Sequence, residues 1–552
     1  MRKHSSDAMS HTNRTTWGFV LLVIAGAVGA SGAEDAKRSK NWSPIERYTI
    51  TGTEAEQEAQ LKENPLLQRF AQWRAELLKD RHVPRYHFFA PEGTLNDPNG
   101  VSFWNGKWHM FYQAYPPKHR KQHWGHAVSE DLIHWRDLPY AIYPGPENAC
   151  FSGSVWIEKD RAIAMYHGTE VGSMVAVSSD PLLINWKKVT GNAVIPLPKK
   201  GEKLPYNVFD PCIWKQGEWY YGLTAGPKGG WQARSMYLHR SKDLATWEPM
   251  HEFLEGDRFG LSGDDGACPY FWPIDKDKHI LLHFSHMSGP KYMLGTYDTE
   301  RQKFVVEEGK DFNFGAWGPS GLHAPSAFPD NKGGIIVIFN VNEGYEWHHA
   351  RWLKWDRIMS LPRRLTLRSF PSHNPLNIEP VKEIEALRGE HIHLESMELP
   401  ANQEVVLEKV TGNQIEIVAE IAPQPGQTLE LNVLRSPNAE ELTRILCYRN
   451  RGDRVGGKQP AIVSIDTSRS STLPNVRCRP AESAPVDIGD REPLKLRVFI
   501  DRSIVEVFVN GRQCLTTRVY PRREDSVGVS LRATGRNARL NSLDAWQMKS
   551  VW

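Results

Sequence analysis

At 552 residues the chain is longer than one hydrophobic core supports, and 40% hydrophobic with 10% aromatic residues is enough apolar surface for more than one domain. A net charge of +3 is close to neutral at this length and gives no electrostatic case for a nucleic-acid or anionic-membrane partner. The 20 Trp residues fit stacking on sugar rings as well as buried cores, and most are assigned to cores.

The N-terminus reads as an address. Trp17 to Ala30 is an uncharged, mostly apolar run preceded by Arg2, Lys3 and Arg14, with small residues at Ala30-Ser31-Gly32-Ala33. That pattern predicts a signal peptide over residues 1–33 and a secreted or periplasmic protein, since the run is short for a spanning helix; a retained N-terminal anchor is the alternative. Residues 34–83 read as a helical preface. Thr53-Glu54-Ala55-Glu56 has the capping-box pattern, and Asn64-Pro65 restarts the helix as N-cap and first residue. Leu66, Phe70, Trp73 and Leu77 are expected on its buried face.

An all-β region follows. Asn96-Asp97-Pro98-Asn99-Gly100 opens an apolar strand, Val101 to Trp104, and an Asn105-Gly106 turn leads into Lys107 to Tyr112, a hairpin signature. Asp210-Pro211 repeats the arrangement ahead of Cys212-Ile213-Trp214, with a turn at Lys215-Gln216-Gly217-Glu218. A second mark closes each unit: Ser129-Glu130-Asp131-Leu132 with Trp135, Ser179-Asp180-Pro181 with Trp186, and Ser241-Lys242-Asp243-Leu244 with Trp247. Unit starts fall at Asp97-Pro98, Ser152-Gly153, Asp210-Pro211, Cys268-Pro269 and Ala324-Pro325. Five such units predict a five-bladed β-propeller, assigned to residues 84–388. Two carboxylates at equivalent points of a repeated β unit, Asp97 and Asp210, can converge on one axis as a glycoside-cleaving pair.

Beyond residue 388 the texture changes. Leu494, Leu496, Val498 and Ile500 alternate with Lys495 and Arg497, and Asn510-Gly511 marks a tight hairpin, so residues 389–552 are expected to form a β-sandwich. This part has no obvious acid pair and reads as a supporting or sugar-binding module. Six Cys allow 15 pairings in an exported chain, but Cys212 and Cys268 lie inside apolar strands as buried thiols. Neither Cys-x-x-Cys nor His-Glu-x-x-His spacing occurs, and His348-His349 reads as surface, so no metal and no cofactor is expected.

From Pro84 to Trp552 the chain resembles glycoside hydrolase family 32, the β-fructosidases. The resemblance is carried by Asn96 to Gly100, Phe111-Tyr112-Gln113, Trp124-Gly125-His126-Ala127, and Phe151-Ser152-Gly153-Ser154. It continues in Met359-Ser360-Leu361-Pro362-Arg363-Arg364-Leu365-Thr366, Asp501-Arg502-Ser503 and Glu506-Val507-Phe508. It implies a propeller followed by a sandwich and retaining hydrolysis by two carboxyl groups roughly 5–5.5 Å apart. It further implies Asp97 as nucleophile, Asp210 as the acid that bonds sugar hydroxyls, and Asn96, Gln113, Trp124, Phe151 and Ser152 as substrate-binding residues.

The chain departs from the family pattern at three places. Phe209 stands where Arg usually precedes the second Asp, and Thr94 replaces an aromatic. Ala267, in Asp264-Asp265-Gly266-Ala267-Cys268-Pro269, occupies the position of the general-acid Glu. Asp265 is expected to supply the missing proton, on the premise that residues 265 and 267 of one extended strand face the same way, with Asp264 next in line. The reading is a secreted glycosidase acting on β-fructosides or a related furanoside; the alternative is a carbohydrate-binding propeller that has lost its acid.

Overall fold

The computed structural model describes residues 43–552 apart from 118, 120, 229–232, 313–320, 343–354, 369–372, 423–425, 450–460, 478 and 490–491. The leader run at 17–33 and His348-His349 lie outside the described residues.

Five sheets of four or five strands, antiparallel but for one short parallel edge pair (Leu254–Glu255 beside Lys303–Asp311), follow one another along the described chain. Their first strands are Thr94–Trp104, Cys150–Ile157, Pro211–Gln216, Ala267–Asp275 and Leu322–Pro329. Each first strand touches the first strand of the next sheet, and the last touches the first, so the five close a ring. Sheets joined radially in this way form a propeller. The predicted hairpins form at the residues that permit them: Asn105 and Gly106 both take positive φ between the pair Trp104 and Lys107. The second turn is tighter than the sequence implied, only Gly217 and Glu218 between Gln216 and Trp219.

The closing marks of the repeat are one turn built three times. Asp131, Asp180 and Asp243 each accept backbone N–H groups from the residues that follow, and each is held by a serine hydroxyl, from Ser129, Ser178 and Ser241. In the second unit Ser178, not Ser179, takes this place. A leucine with positive φ ends each turn, Leu132, Leu183 and Leu244, three residues before the Trp. The indoles of Trp186 and Trp247 donate back to the carbonyls of Leu183 and Leu244. Asp is selected here because its short carboxylate satisfies turn N–H groups that no ladder can reach.

The helices Glu54–Lys62 and Pro65–Leu77 form as expected, with the Thr53–Glu56 capping box and the Asn64 side-chain Oδ1 accepting from the N–H groups of Leu66 and Leu67. The buried face differs in one position: Trp73 is half exposed, and Arg74 is buried in its place. Residues 66, 70, 74 and 77 keep the helical spacing, and Arg74 is satisfied by a two-oxygen pair with Asp137 and by the Trp552 ring 3.9 Å away. Phe70 meets Tyr140 edge to face, which docks this helix on the first propeller sheet.

Two further sheets, of seven and six strands, pack face to face over an aliphatic core containing Leu494, Leu496, Val498 and Ile500, with Lys495 turned to solvent. This is the sandwich. It is tied to the propeller by a buried ionic cluster. Asp501 accepts the backbone N–H groups of Arg85, Tyr86 and His87 and the His87 Nδ1 contact at 2.8 Å. Glu506 bonds Arg363, Thr516 and the Leu361 N–H and faces His87 Nε2 at 3.2 Å. The motifs around Met359 and Asp501 therefore form the joint between the domains.

Candidate active site

Strand irregularity builds the site. Four of the five first strands carry a register shift at the same end, between Leu95 and Pro98, Cys150 and Gly153, Ala267 and Tyr270, and Leu322 and Pro325. A bulge re-aims the side chains it contains. These bulges hold Asn96 and Asp97, Phe151 and Ser152, Cys268, and His323. Asp210 immediately precedes the remaining first strand, Pro211–Gln216, and all these residues meet at one end of the ring.

The centre is a hydrogen-bonded group on Asp97. Ser152 Oγ donates to Asp97 Oδ2 at 2.6 Å, and Gln113 Nε2 reaches the same oxygen at 3.2 Å and Ser152 Oγ at 2.7 Å. Asn96 Nδ2 donates to Gln113 Oε1, while Asn340 Nδ2 and Arg357 Nη1 donate to Asn96 Oδ1. His323 Nδ1 stands 3.3 Å from Asp97 Oδ1. Burial alone would raise the Asp97 carboxyl. The His323 imidazole, then the Ser152 hydroxyl, outweigh it and hold Asp97 below the usual carboxylate range.

Asp210 lies across the site. Its Oδ2 accepts from the Cys268 backbone N–H at 3.1 Å and from the Cys268 thiol at 3.3 Å; the same thiol stands 3.6 Å from Asp97 Oδ2. Burial, then the charge of Asp97, pushes Asp210 up to about 7 despite the two Cys268 bonds. Its Oδ1 is buried without a hydrogen-bond partner. Cys268 is held neutral, its thiol raised well above the ordinary value by burial and by the two carboxylates. One acid is held below the ordinary carboxylate range beside another that is raised to about 7, so the two buried carboxyls do not carry the same charge near neutral pH.

Three expectations are corrected by position. Trp124 is fully buried between Phe111 and Tyr166, with its indole N–H on the Phe151 carbonyl at 2.9 Å, so it supports Phe151 and offers no face to a sugar. Residues 264–266 are not strand: the inner strand begins at Ala267, and Gly266 has φ of +67°. Residues 265 and 267 thus do not share a strand face, and both Asp265 oxygens are taken by His286, Oδ2 by Nδ1 at 2.5 Å and Oδ1 by the backbone N–H at 3.3 Å. Asp264 is tied to Arg234, Ser288 and the Leu261 N–H.

Around the missing Glu the wall is apolar: Ala267, Cys268, Phe284 and Ala324 cluster with Phe209 against them. Phe209 faces the His167 ring at 5.4 Å, and His167 meets Phe151 at 6.0 Å. His167, His286 and His323 were not singled out in the sequence; His323 was detectable as the residue before Ala324-Pro325, the fifth unit start. Among the described residues no group of three His, Cys, Asp or Glu side chains is placed to hold a metal ion. The five described cysteines are all buried free thiols; the sixth, Cys478, lies outside the described residues.

A ring of sheets with two buried, unlike carboxyls at one end, followed by a sandwich, is the architecture of a glycoside hydrolase. The model of the glycosyl hydrolases family 32 N-terminal domain matches residues 87–380 and that of the family's C-terminal domain residues 383–547, and the chain belongs to this family. It is 29% identical over 517 residues to a levanase of Bacillus subtilis, covering 85% of this chain and 71% of that one. It is also 29% identical to an insoluble β-fructofuranosidase of Arabidopsis thaliana, covering 84% and 92%. The crystal structure of fructan 1-exohydrolase IIa from Cichorium intybus superposes with a TM-score of 0.74 at 23% identity, over 85% of this chain and 98% of that one, and shares the fold.

Proposed function

We propose that this protein hydrolyses β-fructosides of the levan, inulin or sucrose type, or a related furanoside, with retention at the anomeric carbon. The observation that carries the reading is the pairing of an ionised Asp97 with a raised Asp210 on one thiol. Asp97 attacks the anomeric carbon. Asp210, whose Oδ1 is unoccupied by protein, takes sugar hydroxyls. Asn96, Gln113 and Ser152 position Asp97, and Phe151 forms the half-buried wall beside it. The names of its relatives, levanase and β-fructofuranosidase, support the substrate class. No cofactor is part of the proposal.

Ala267 favours a second reading, a propeller that binds carbohydrate without cleaving it. Incubation with sucrose, levan, inulin and arabinan, followed by reducing-sugar assay, separates the two. Release from a fructan or sucrose supports hydrolysis; binding without release on all four supports the second. We further propose export through residues 1–33, to be checked by N-terminal sequencing of the mature protein. No described helix is long and apolar enough to cross a membrane.

A further inference from the structure

We propose that His286, oriented by Asp265, is the proton donor of this site and takes the task left open at Ala267. The inference rests on the hydrolytic reading above.

Ala267 is the first residue of its strand and pairs with Phe284 of the neighbouring strand Lys278–Ser285. His286 follows two residues after Phe284, the pairing partner of Ala267, in the turn at the end of that strand. Asp265 anchors it twice, through Nδ1 at 2.5 Å and through its backbone N–H. With Nδ1 committed to a carboxylate, Nε2 is the nitrogen left for chemistry, an arrangement that fixes ring orientation and favours the cation. The His286 side chain is 49% exposed while that of Asp265 is 4% exposed, so a buried carboxylate presents an accessible imidazole.

The imidazole also faces the reacting acids. Its ring lies 6.1 Å from that of His323, which stands 3.3 Å from Asp97 Oδ1, and 5.1 Å from Phe284. Burial disfavours its charge, but the Asp265 hydrogen bond, followed by the charges of Asp265, Asp97 and Asp210, holds it above the ordinary histidine value. The other groups are less suited. His323 is buried and lowered, chiefly by that burial, and is therefore neutral. Asp264 and Asp265 are consumed by Arg234 and His286.

The chemistry balances without a further reactant. Asp97 attacks the anomeric carbon and forms a carboxylate ester as the glycosidic C–O bond breaks; the departing oxygen keeps the electron pair and takes the proton from His286 Nε2. Neutral His286 then accepts a proton from water as its oxygen attacks the same carbon. The ester C–O bond breaks, its electron pair returns to Asp97, and His286 is again protonated.

The test compares sucrose or inulin with nitrophenyl β-fructofuranoside, whose leaving group needs no proton. His286→Ala is expected to lose roughly 10²- to 10⁴-fold in kcat/KM on sucrose and within about threefold on the aryl substrate. The wild-type alkaline limb should report His286, because activity falls as the donor deprotonates. Asp265→Asn, which removes the anchoring charge, should move that limb to lower pH together with the His286 titration followed by NMR. Equal loss on both substrates, no loss on either, or an alkaline limb unmoved in Asp265→Asn overturns the assignment while hydrolysis by the wild type stands. A wild type that cleaves neither substrate removes the hydrolytic reading itself, and the donor with it.

Discussion

Asp97 and Asp210, 113 residues apart in sequence, are both within reach of one thiol, Cys268 Sγ, at 3.6 and 3.3 Å. Cys268 has a positive φ of +51° inside a bulge, and this twist aims both its N–H and its thiol inward. A neutral thiol can donate only one proton at a time. The carboxylate that lacks it must find another donor: Asp97 Oδ2 has Ser152 and Gln113, and His323 Nδ1 stands 3.3 Å from Asp97 Oδ1, whereas among the described residues Asp210 has only Cys268 on Oδ2 and no imidazole beside Oδ1. The asymmetry in ionisation follows from that asymmetry in donors.

The nucleophile is tested by Asp97→Asn. The amide keeps the volume and can still accept from Ser152, but it carries no charge to attack with. Turnover on sucrose or levan is expected to fall by roughly 10³-fold or more, with a melting temperature close to wild type. Near wild-type kcat in a folded variant would remove Asp97 from the role.

The raised Asp210 predicts a pH signature in stability. Its folded value, about 7, lies above that of an unfolded Asp, so the folded state binds the proton more tightly. The stabilising contribution is full below the unfolded value and is lost as pH rises from about 4 through about 7. Asp210→Asn cannot ionise and escapes this loss. The melting temperature of the variant minus that of wild type should therefore increase between pH 4 and pH 8; a pH-independent difference would show that Asp210 ionises normally.

The domain joint makes a separate prediction. His87 is raised by Asp501 and Glu506 against the opposing effect of burial, and Glu506 is lowered to about 2, also against burial, chiefly by Arg363 and His87. The Glu506 contribution is present above the unfolded carboxylate value and is lost as pH falls toward 2; that of His87 is present below 6.5 and is lost as pH rises through its raised folded value. Glu506→Gln leaves Arg363 buried with its charge uncompensated, which costs about 3–5 kcal/mol. Calorimetry should show this as a lowered transition, while the Ser152, Gln113 and Asp97 contacts, far along the chain from Glu506, keep KM near wild type in the folded fraction.

The order of the strands was legible because local chemistry wrote it. Asn105-Gly106 and the Ser–Asp–Leu turns need positive φ or short acceptors, and those requirements appear directly as residue types. Asp97 and Asp210 were legible because each precedes a Pro at a repeated position. The Asp265–His286 pair was not, since it depends on a left-handed Gly266 that breaks the strand and turns the carboxylate toward a residue 21 positions away. Trp73 and Arg74 were exchanged for a similar reason: one residue of helix phase decides which faces inward, and the Asp137 partner that makes a buried Arg tolerable lies 63 residues off.

Trp124 offers the last test, because its sequence block implied contact with sugar and its position forbids it. The indole is fully buried, packed at a tilt between Phe111 and Tyr166, and its only polar atom donates to the Phe151 carbonyl. Trp124→Phe keeps an aromatic ring in the core but deletes that donor and leaves the Phe151 carbonyl without it. The loss of one buried hydrogen bond, with some void left by the smaller ring, should cost about 1–3 kcal/mol in urea unfolding. Because Phe151 and Ser152 share the bulge that Trp124 supports, kcat should fall modestly through misplacement of the Ser152–Asp97 bond. A stacking residue would behave differently: KM for sucrose would rise steeply at unchanged stability, and that result would return Trp124 to the substrate pocket.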